Sequence, residues 1–551
     1  MSETNKYWQR YEKGYDYIMR RQLLTKTQRN WNFYTGRQWE GIQAGGEDLP
    51  MLNFIKRMVK HKVSTVSQNN MVVHYSDMQG RDGMEEVYEK LELKFSEIWE
   101  KANLDQELWK ITNDAAVTGD GIMYFASSDP SDAERIPNTS VLYGDESKED
   151  IQKQPYIILH QRLSMAEVRQ IGEENGVDPK ELALIKPDDE TQKLIGNQQE
   201  VDYDKDSDNA KVTCIIHLEK KDGVVHITRA TKQCVFEPER PITALNPDGT
   251  VKKGLNLYPI VRMTWENFPN DARGVGEVEQ LIPNQLEINK TLARMSLINK
   301  MTAYPRVAYD ANALANPDAL NEVGTPLEMT SGGVQSVGQL ISYLEPAQIS
   351  PEPRNFLEGL LSNTQELGGA GETAMGNINP SRVAASAIIA IRDQAALPLN
   401  EQVEKRNTFV EDLAKLVIEM VAVYEPNGFD VLKREEDPLT GKETKTVMKV
   451  SGDDLRDLEP TVRIDTSQDN PWTKEAEQNW LDGVLDKQHI TFEEYIDASP
   501  EHGIIPKNKM EQILEKRKAK EEAMMQQQQA LQQQQAELEQ EMAARGIDQP
   551  E

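Results

Sequence analysis

LIPNQLEINKTLARMSLINK, residues 281 to 300, is the stretch on which the reading of the chain turns. Leu281, Ile288, Leu292 and Met295 fall on one line at helical spacing, and Ile282, Leu286, Ala293 and Leu297 on a second. The two lines lie on the order of 100–140° apart around the helix axis. A narrow polar strip of Gln285, Asn289 and Ser296 separates them, and a broad opposite face carries Glu287, Lys290, Thr291 and Arg294. A helix resting on one core needs one apolar stripe. Two stripes and two polar faces fit a helix with a neighbour on each side. A closed ring of helices provides that, and so does a helix held between two others of its own chain. In the ring, Glu287, Lys290 and Arg294 line a lumen, while Leu281, Leu286, Ile288, Leu292 and Leu297 form the subunit contacts.

The chain has 551 residues, enough for roughly three or four domains. Its hydrophobic fraction of 38% is low, its charged fraction of 28% high, and its formal net charge is −30. This composition suits an elongated protein, or one that completes its burial by assembling. An acidic chain repels nucleic acid, so any DNA role is contact without tight grip. MSETNKYWQR at the start is polar, and no apolar run reaches the roughly 20 residues a membrane helix needs. The expected location is the cytoplasm, or a particle assembled there.

Along the chain, residues 5 to 40 read as helical and end in FYTGRQW; residues 51 to 75 read as an apolar-periodic segment followed by the strand MVVHYS. Lys56, Arg57, Lys60, His61 and Lys62 in that segment are either a solvated helix face or a contact for phosphate or an acidic partner. One long helix is expected over 84 to 116, then the turn TGDG and the strand IMYFA. Residues 130 to 270 mix short strands with a helix near 164 to 174. Helices follow at 276 to 303 and 353 to 368, the second with a plain stripe of Phe356, Leu357, Leu360, Leu361 and Leu367. GETAMGNINPSR (371 to 382) reads as an irregular loop, because Gly371 and Gly376 free the backbone while Asn377, Asn379 and Pro380 favour turns. A long helix over 382 to 424 should kink at Pro398. A small β element covers 425 to 470, and the end is helical, charged and Gln-rich. That tail is either disordered or a helix that orders on copies of itself, since Met524, Leu531 and Leu538 repeat every seven.

Catalytic and ligand motifs do not form. There is no G-x-x-x-x-G-K-[ST], no H-E-x-x-H and no nucleophile elbow, and GVGEVE lacks the third glycine of a dinucleotide fingerprint. DYDKDSDN places Asp202, Asp204 and Asp206 like a calcium loop, but Ser207 stands where glycine is needed and Thr213 where glutamate is. Cys214 and Cys234 flank a hairpin in which His217 and His226 are expected opposite each other; the spacing matches no closed zinc site, and free thiols are expected. The expectation is a non-enzyme with no cofactor and no metal.

Taken in order, the motifs resemble the portal proteins of tailed double-stranded DNA bacteriophages. FYTGRQW and LPMLNFI look like that family's N-terminal segment, TGDGIMYF like its wing turn and strand, and RGVGEVEQLIPNQLEINKTLARM like its entry into the first stem helix. The resemblance implies an α+β, mainly helical subunit of a dodecameric ring. Its parts would be an N-terminal wing portion (1–272), first stem helix (273–305), clip (306–352), second stem helix (353–370), tunnel loop (371–382), kinked wing helix with small β element (383–470) and helical crown with Gln-rich tail (471–551). It implies a virion protein at one capsid vertex, the channel for packaging and ejecting double-stranded DNA. Its partners would be the terminase large subunit, a head-tail adaptor, the major capsid protein and a scaffolding protein, with no membrane. Gly371, Gly376, Asn377, Asn379 and Pro380 would then belong to a loop touching DNA. Arg382 at its end either nears DNA or makes a salt bridge at the helix start. An acidic helical scaffold or interaction protein without a channel is the alternative.

The geometry is compatible with twelve copies. Twelve helices about 10 Å apart enclose a hole about 28 Å clear, whereas six leave about 9 Å. A duplex on the order of 20 Å wide passes only the larger. Twelve chains each carrying −30 make an acidic or mixed wall along which DNA slides.

Overall fold

The computed structural model describes residues 3–42, 49–77, 85–188, 210–245, 251–303, 351–367, 397–436, 443–451 and 460–468, with shorter pieces between 307 and 343 and between 481 and 495. At the start, α1 (Glu3–Arg20) and α2 (Leu23–Thr35) are two helices rather than one, because Gln22 between them turns left-handed at φ 54°. α3 (Phe54–Val66) starts on Asn53, whose side chain accepts from the Lys56 amide and satisfies one free donor of the first turn. β1 (Asn69–Asp77) follows. The single helix expected over 84 to 116 is also divided, into α4 (Glu85–Lys101) and α5 (Leu104–Thr118). The break is Asn103 at φ 49°, a residue type that enters the left-handed region more readily than most.

The middle of the chain is mainly sheet. β2 (Asp120–Phe125), β3 (Ala133–Ile136), β4 (Val141–Tyr143) and β5 (Tyr156–Ser164) lead to α6 (Met165–Glu174). α6 opens on a capping box in which Ser164 and Glu167 bond each other's backbone amides. After the one-turn α7 (Pro179–Leu182) come β6 (Lys211–Lys221), β7 (Val224–Ala230), β8 (Val235–Pro241), β9 (Thr243–Leu245), β10 (Val251–Gly254), β11 (Ile260–Thr264), β12 (Glu266–Asn267) and β13 (Gly274–Val275). β4 to β8 form one antiparallel sheet in sequence order, and β2 is central in a second, β11-β2-β3.

Strand alternation covers both faces of the larger sheet. Ile157, Leu159, Ile216 and Leu218 point into the main core, while Ile158 and Ile215 point to α1 and pack with Tyr7, Trp8, Tyr11 and Ile18. The β6–β7 turn uses Asp222 and Gly223, both at positive φ, as a tight two-residue hairpin requires. Its register sets His226 against Glu219 and His217 against Thr228, so the two histidines are not opposite. Arg10 Nη1 lies 2.8 Å from His217 Nε2, and His226 lies 3.2 Å from Glu239. Burial, with Arg10 beside it, lowers the His217 pKa to about 4, and burial alone lowers His160 equally. Cys214 and Cys234 are buried free thiols.

α8 (Glu277–Ala303), β14 (Val307–Tyr309), β15 (Ile341–Tyr343) and α9 (Glu352–Leu367) come next, then α10 (Asn400–Tyr424), β16 (Gly428–Glu436), β17 (Glu443–Ser451) and β18 (Pro460–Gln468). The main core gathers α3, α4, α5 and α10 onto the β11-β2-β3 sheet, with Phe409, Val410, Leu413, Val417 and Val421 of α10 among its most buried side chains. β16 and β17 make a regular antiparallel pair, and β18 returns from far along the chain to pair with β1. Helix and sheet both contribute to the core, and the fold is α+β. Pro398 is not inside a described α-helix: it lies in a 3₁₀ turn, Leu397–Leu399, and α10 starts behind it at Asn400. Proline's fixed φ and missing amide hydrogen suit such a start. Residues 382–396, the first part of the helix expected to kink, lie outside the described residues.

Candidate assembly and channel helix

The approach to α8 is a backbone crossing that only glycine permits. A Cβ on Gly119 (φ 106°) would stand 2.2 Å from the Gly274 carbonyl oxygen, and one on Gly274 would stand 2.3 Å from that of Gly119. Asp120 Oδ1 accepts from the Gly274 amide at 3.0 Å, and the Trp265 amide donates to the Gly119 carbonyl at 2.9 Å. Burial raises the Asp120 pKa, against the pull of Arg262 and the Gly274 amide. Next to the crossing, the buried Arg273 guanidinium donates to Glu146 at 3.0 and 2.8 Å and to the carbonyls of Asn138 and Val141 at 3.0 and 2.9 Å. Glu277, first in α8, is buried and pairs with Lys62 at 2.7 Å. The RGVGEVE stretch is therefore a structural joint.

The narrow polar strip of α8, expected to be wet, is dry at its base. Gln285 Oε1 accepts from the amides of Phe54 and Ile55 at 3.0 and 3.2 Å, so it caps α3 from outside. Its Nε2 donates to the Leu52 carbonyl at 2.7 Å and to Asn289 Oδ1 at 3.0 Å, and Asn289 Nδ2 donates to Gln38 Oε1 at 2.6 Å. Gln285 and Asn289 are 1% and 0% exposed. A buried amide with its hydrogen bonds made is a specific latch, since a partner lacking them would leave several polar groups dry and unpaired.

The two apolar stripes have different fates. Leu281, Asn284, Ile288, Thr291 and Met295 follow one another at helical spacing. On that line Asn284 Nδ2 donates to Thr364 Oγ1 of α9 at 3.2 Å. Leu281 and Ile288 are buried within the chain itself, so they are already used there rather than left for a neighbouring subunit. Thr291, assigned to the broad wet face, is also buried. On the other stripe Ile282 is buried in the main core and Leu286 packs against it, and only the part beyond them opens. Leu286 and Ala293 are half-buried, Leu297 is 39% exposed and Met301, further along the same line, 58% exposed. Leu292, on the first line, is half-buried. Sequence reasoning stopped short of Met301, although its spacing from Leu297 gave the signal.

α8 and α9 form a hairpin. β14 just after α8 pairs antiparallel with β15 just before α9, and the Asn284–Thr364 bond joins the start of one helix to the end of the other. The last buried side chain on α8 is Thr291, so its final twelve residues, about 18 Å, extend past the core. Phe356 on α9 is 53% exposed. On the broad face Lys290 is exposed, and Arg294 pairs with Glu287 at 3.3 Å. Lys62 of the basic cluster holds Glu277, while Lys56, Arg57 and Lys60 remain on the surface. Gly371, Gly376, Asn377, Asn379, Pro380 and Arg382 lie outside the described residues, as do Asp202, Asp204, Asp206 and the Gln-rich tail.

No family model matches the chain, and no curated protein matches it in sequence. Among solved structures it is similar to a chain of one described as "Neck of empty GTA particle computed with C6 symmetry". The two are 9% identical with a TM-score of 0.36, over 79% of this chain and 86% of that one.

Proposed function

We propose that the chain is the non-catalytic subunit of a ring-shaped, portal-type connector, through which double-stranded DNA enters and leaves the head of a phage-type particle. One observation carries the reading. α8 is anchored at its base, has one stripe joined to α9, and leaves Ala293 half-covered and Leu297 and Met301 exposed along a length that extends past the core. A repeated copy supplies the missing neighbour. The order of motifs from FYTGRQW to the α8–α9 hairpin supports the same class. On the face assigned to the lumen, Glu287 and Arg294 neutralise each other and Lys290 has no counter-ion among the described residues, a wall that gives phosphates little to hold.

In this reading twelve copies surround the channel. The β14–β15 end of the hairpin belongs to the clip that meets the terminase large subunit and later a head-tail adaptor. The wing meets the major capsid protein and a scaffolding protein. The loop 371–382 contacts passing DNA. Electron microscopy of the purified full-length protein tests the ring: particles with a central hole wide enough for a duplex are expected, and a monomeric or filamentous protein overturns the reading. Deleting Gly376–Asn379 tests the loop, with rings expected to persist and genome packaging or retention to fail. Normal packaging and retention by that variant removes the loop from the DNA path.

A further inference from the structure

The chain is acidic as a whole, with 92 carboxylate residues against 62 lysines and arginines, yet α3 has the opposite balance. Its thirteen residues contain Lys56, Arg57, Lys60 and Lys62 and no carboxylate. Lys62 is engaged by Glu277. The side chains of the other three are exposed, opposite the buried face of Ile55, Met58, Val59 and Val63, and make no ion pair among the described residues. Their placement works against the isolated chain. Lys56 and Lys60 are like charges one turn apart, and Lys56 and Arg57 lie in the first turn, where the helix dipole disfavours cations. An anionic partner relieves both strains.

Two features favour a protein over a phosphate backbone. The first amides of α3 are already bonded to Gln285 and Asn53, so the helix N-terminus offers an anion few donors. Beside the cations, Met51 and Leu52 are 42% and 48% exposed, apolar surface for which a duplex backbone has no use. The matching surface is the outward side of α9, where Glu366 is exposed with no counter-ion among the described residues and Phe356 is exposed beyond it. The two surfaces stand at one level. Gln285 holds the first residues of α3, and its neighbour Asn284 holds Thr364, two residues before Glu366. Rotation about an axis running along α8 preserves that level, so it carries Glu366 of one copy to the height of Lys56 and Arg57 of the next.

We propose that Lys56, Arg57 and Lys60 pair with the acidic outer side of α9, Glu366 foremost, on a second copy of this chain. The inference rests on the ring reading and makes the contact head-to-tail, with a different surface from each copy. The test is the full-length triple variant Lys56→Glu, Arg57→Glu, Lys60→Glu, with its ring fraction measured by mass photometry at low and high salt. An exposed ion pair changes association by up to about fivefold, so reversing three charges should raise the midpoint concentration for assembly about tenfold or more at low salt. The shift should shrink at high salt. Adding Glu366→Lys should restore much of the loss. The melting temperature of the monomer should hold or rise, because glutamates near a helix N-terminus suit the dipole. Three results overturn the inference: wild-type assembly by the triple variant, a loss that Glu366→Lys does not restore, or intact rings with lost binding to a short DNA duplex. A wild-type chain that forms no ring overturns the proposed function instead.

Discussion

Replacing Leu297 and Met301 together by aspartate puts a number on the open stripe of α8. The two side chains are 39% and 58% exposed, so a large part of each is left for a neighbour. Fully burying a leucine or methionine contributes about 1.5–3 kcal/mol. The exposed fractions then hold about 0.6–1.2 and about 0.9–1.7 kcal/mol, together about 1.5–3 kcal/mol for each subunit contact. Two carboxylates desolvated there without partners add a few kcal/mol more. Since about 1.4 kcal/mol is tenfold in association, each contact should weaken at least about tenfold to hundredfold. A closed ring meets that loss at every junction. Mass photometry and negative-stain microscopy of the variant should show monomers and short arcs at concentrations where the parent forms rings. Thermal melting of the monomer should show a loss of no more than about 1.5–3 kcal/mol, which is held in the parts of the two side chains that their own chain covers. Rings of parental size and yield from the double variant would refute the assignment of this stripe to a subunit contact.

Gln285→Leu should lower the unfolding free energy by about 3–5 kcal/mol, since the amides of Phe54 and Ile55 and the Leu52 carbonyl lose a buried partner; a urea melt shifted by less than about 1 kcal/mol counts against the latch. Gly119→Ala, whose Cβ meets a backbone oxygen at 2.2 Å, should give insoluble or grossly destabilised protein, and a soluble variant with parental melting contradicts the crossing. His160 and His217 have pKa values lowered to about 4, below the ordinary 6.5, so the unfolded chain binds more protons between those values. Their contribution is complete above about pH 6.5 and is lost as pH falls toward 4. Asp114, raised by burial to about 6 against the pull of Arg135, acts in the other direction, losing its contribution as pH rises through about 4 to 6. Melting temperatures measured from pH 7 to 4.5 should fall, and fall less in a His160→Phe, His217→Gln variant; equal slopes exclude the histidines as the cause.

Periodicity carried what is local. The limits of α8 and α9 and the helix after Ser164 were legible, because stripes and caps are written within a few residues; TGDG, read as a turn, is instead the end of α5, one bend at Gly119 and the start of β2. What was not legible depends on partners distant in the chain. Gln285 and Asn289 read as a wet strip, since nothing near them announces that Gln38, Leu52 and Phe54 close over them. The same distance hid the use of Leu281 and Ile288 inside the subunit. The divisions at Gln22 and Asn103 were missed for another reason: each is one residue in a left-handed conformation inside an otherwise helical pattern, with no glycine to mark it. The histidine register slipped because the hairpin turns on Asp222 and Gly223, which fixes Glu219 against His226.

The Gly119–Gly274 crossing also has a mechanical meaning. It removes the slack through which the rod formed by α8 could swivel just before Glu277, and the Gln285 latch seizes the rod again about 12 Å further along. Two fixings at that separation grip the base of the rod, with about 18 Å of helix beyond the last buried side chain, Thr291. A sideways load on the β14–β15 end is then delivered toward the β11-β2-β3 sheet, to which Asp120 ties Gly274. The outer segment carries Leu297 and Met301, so in the ring proposed above the part farthest from both fixings is the part set against a neighbouring copy.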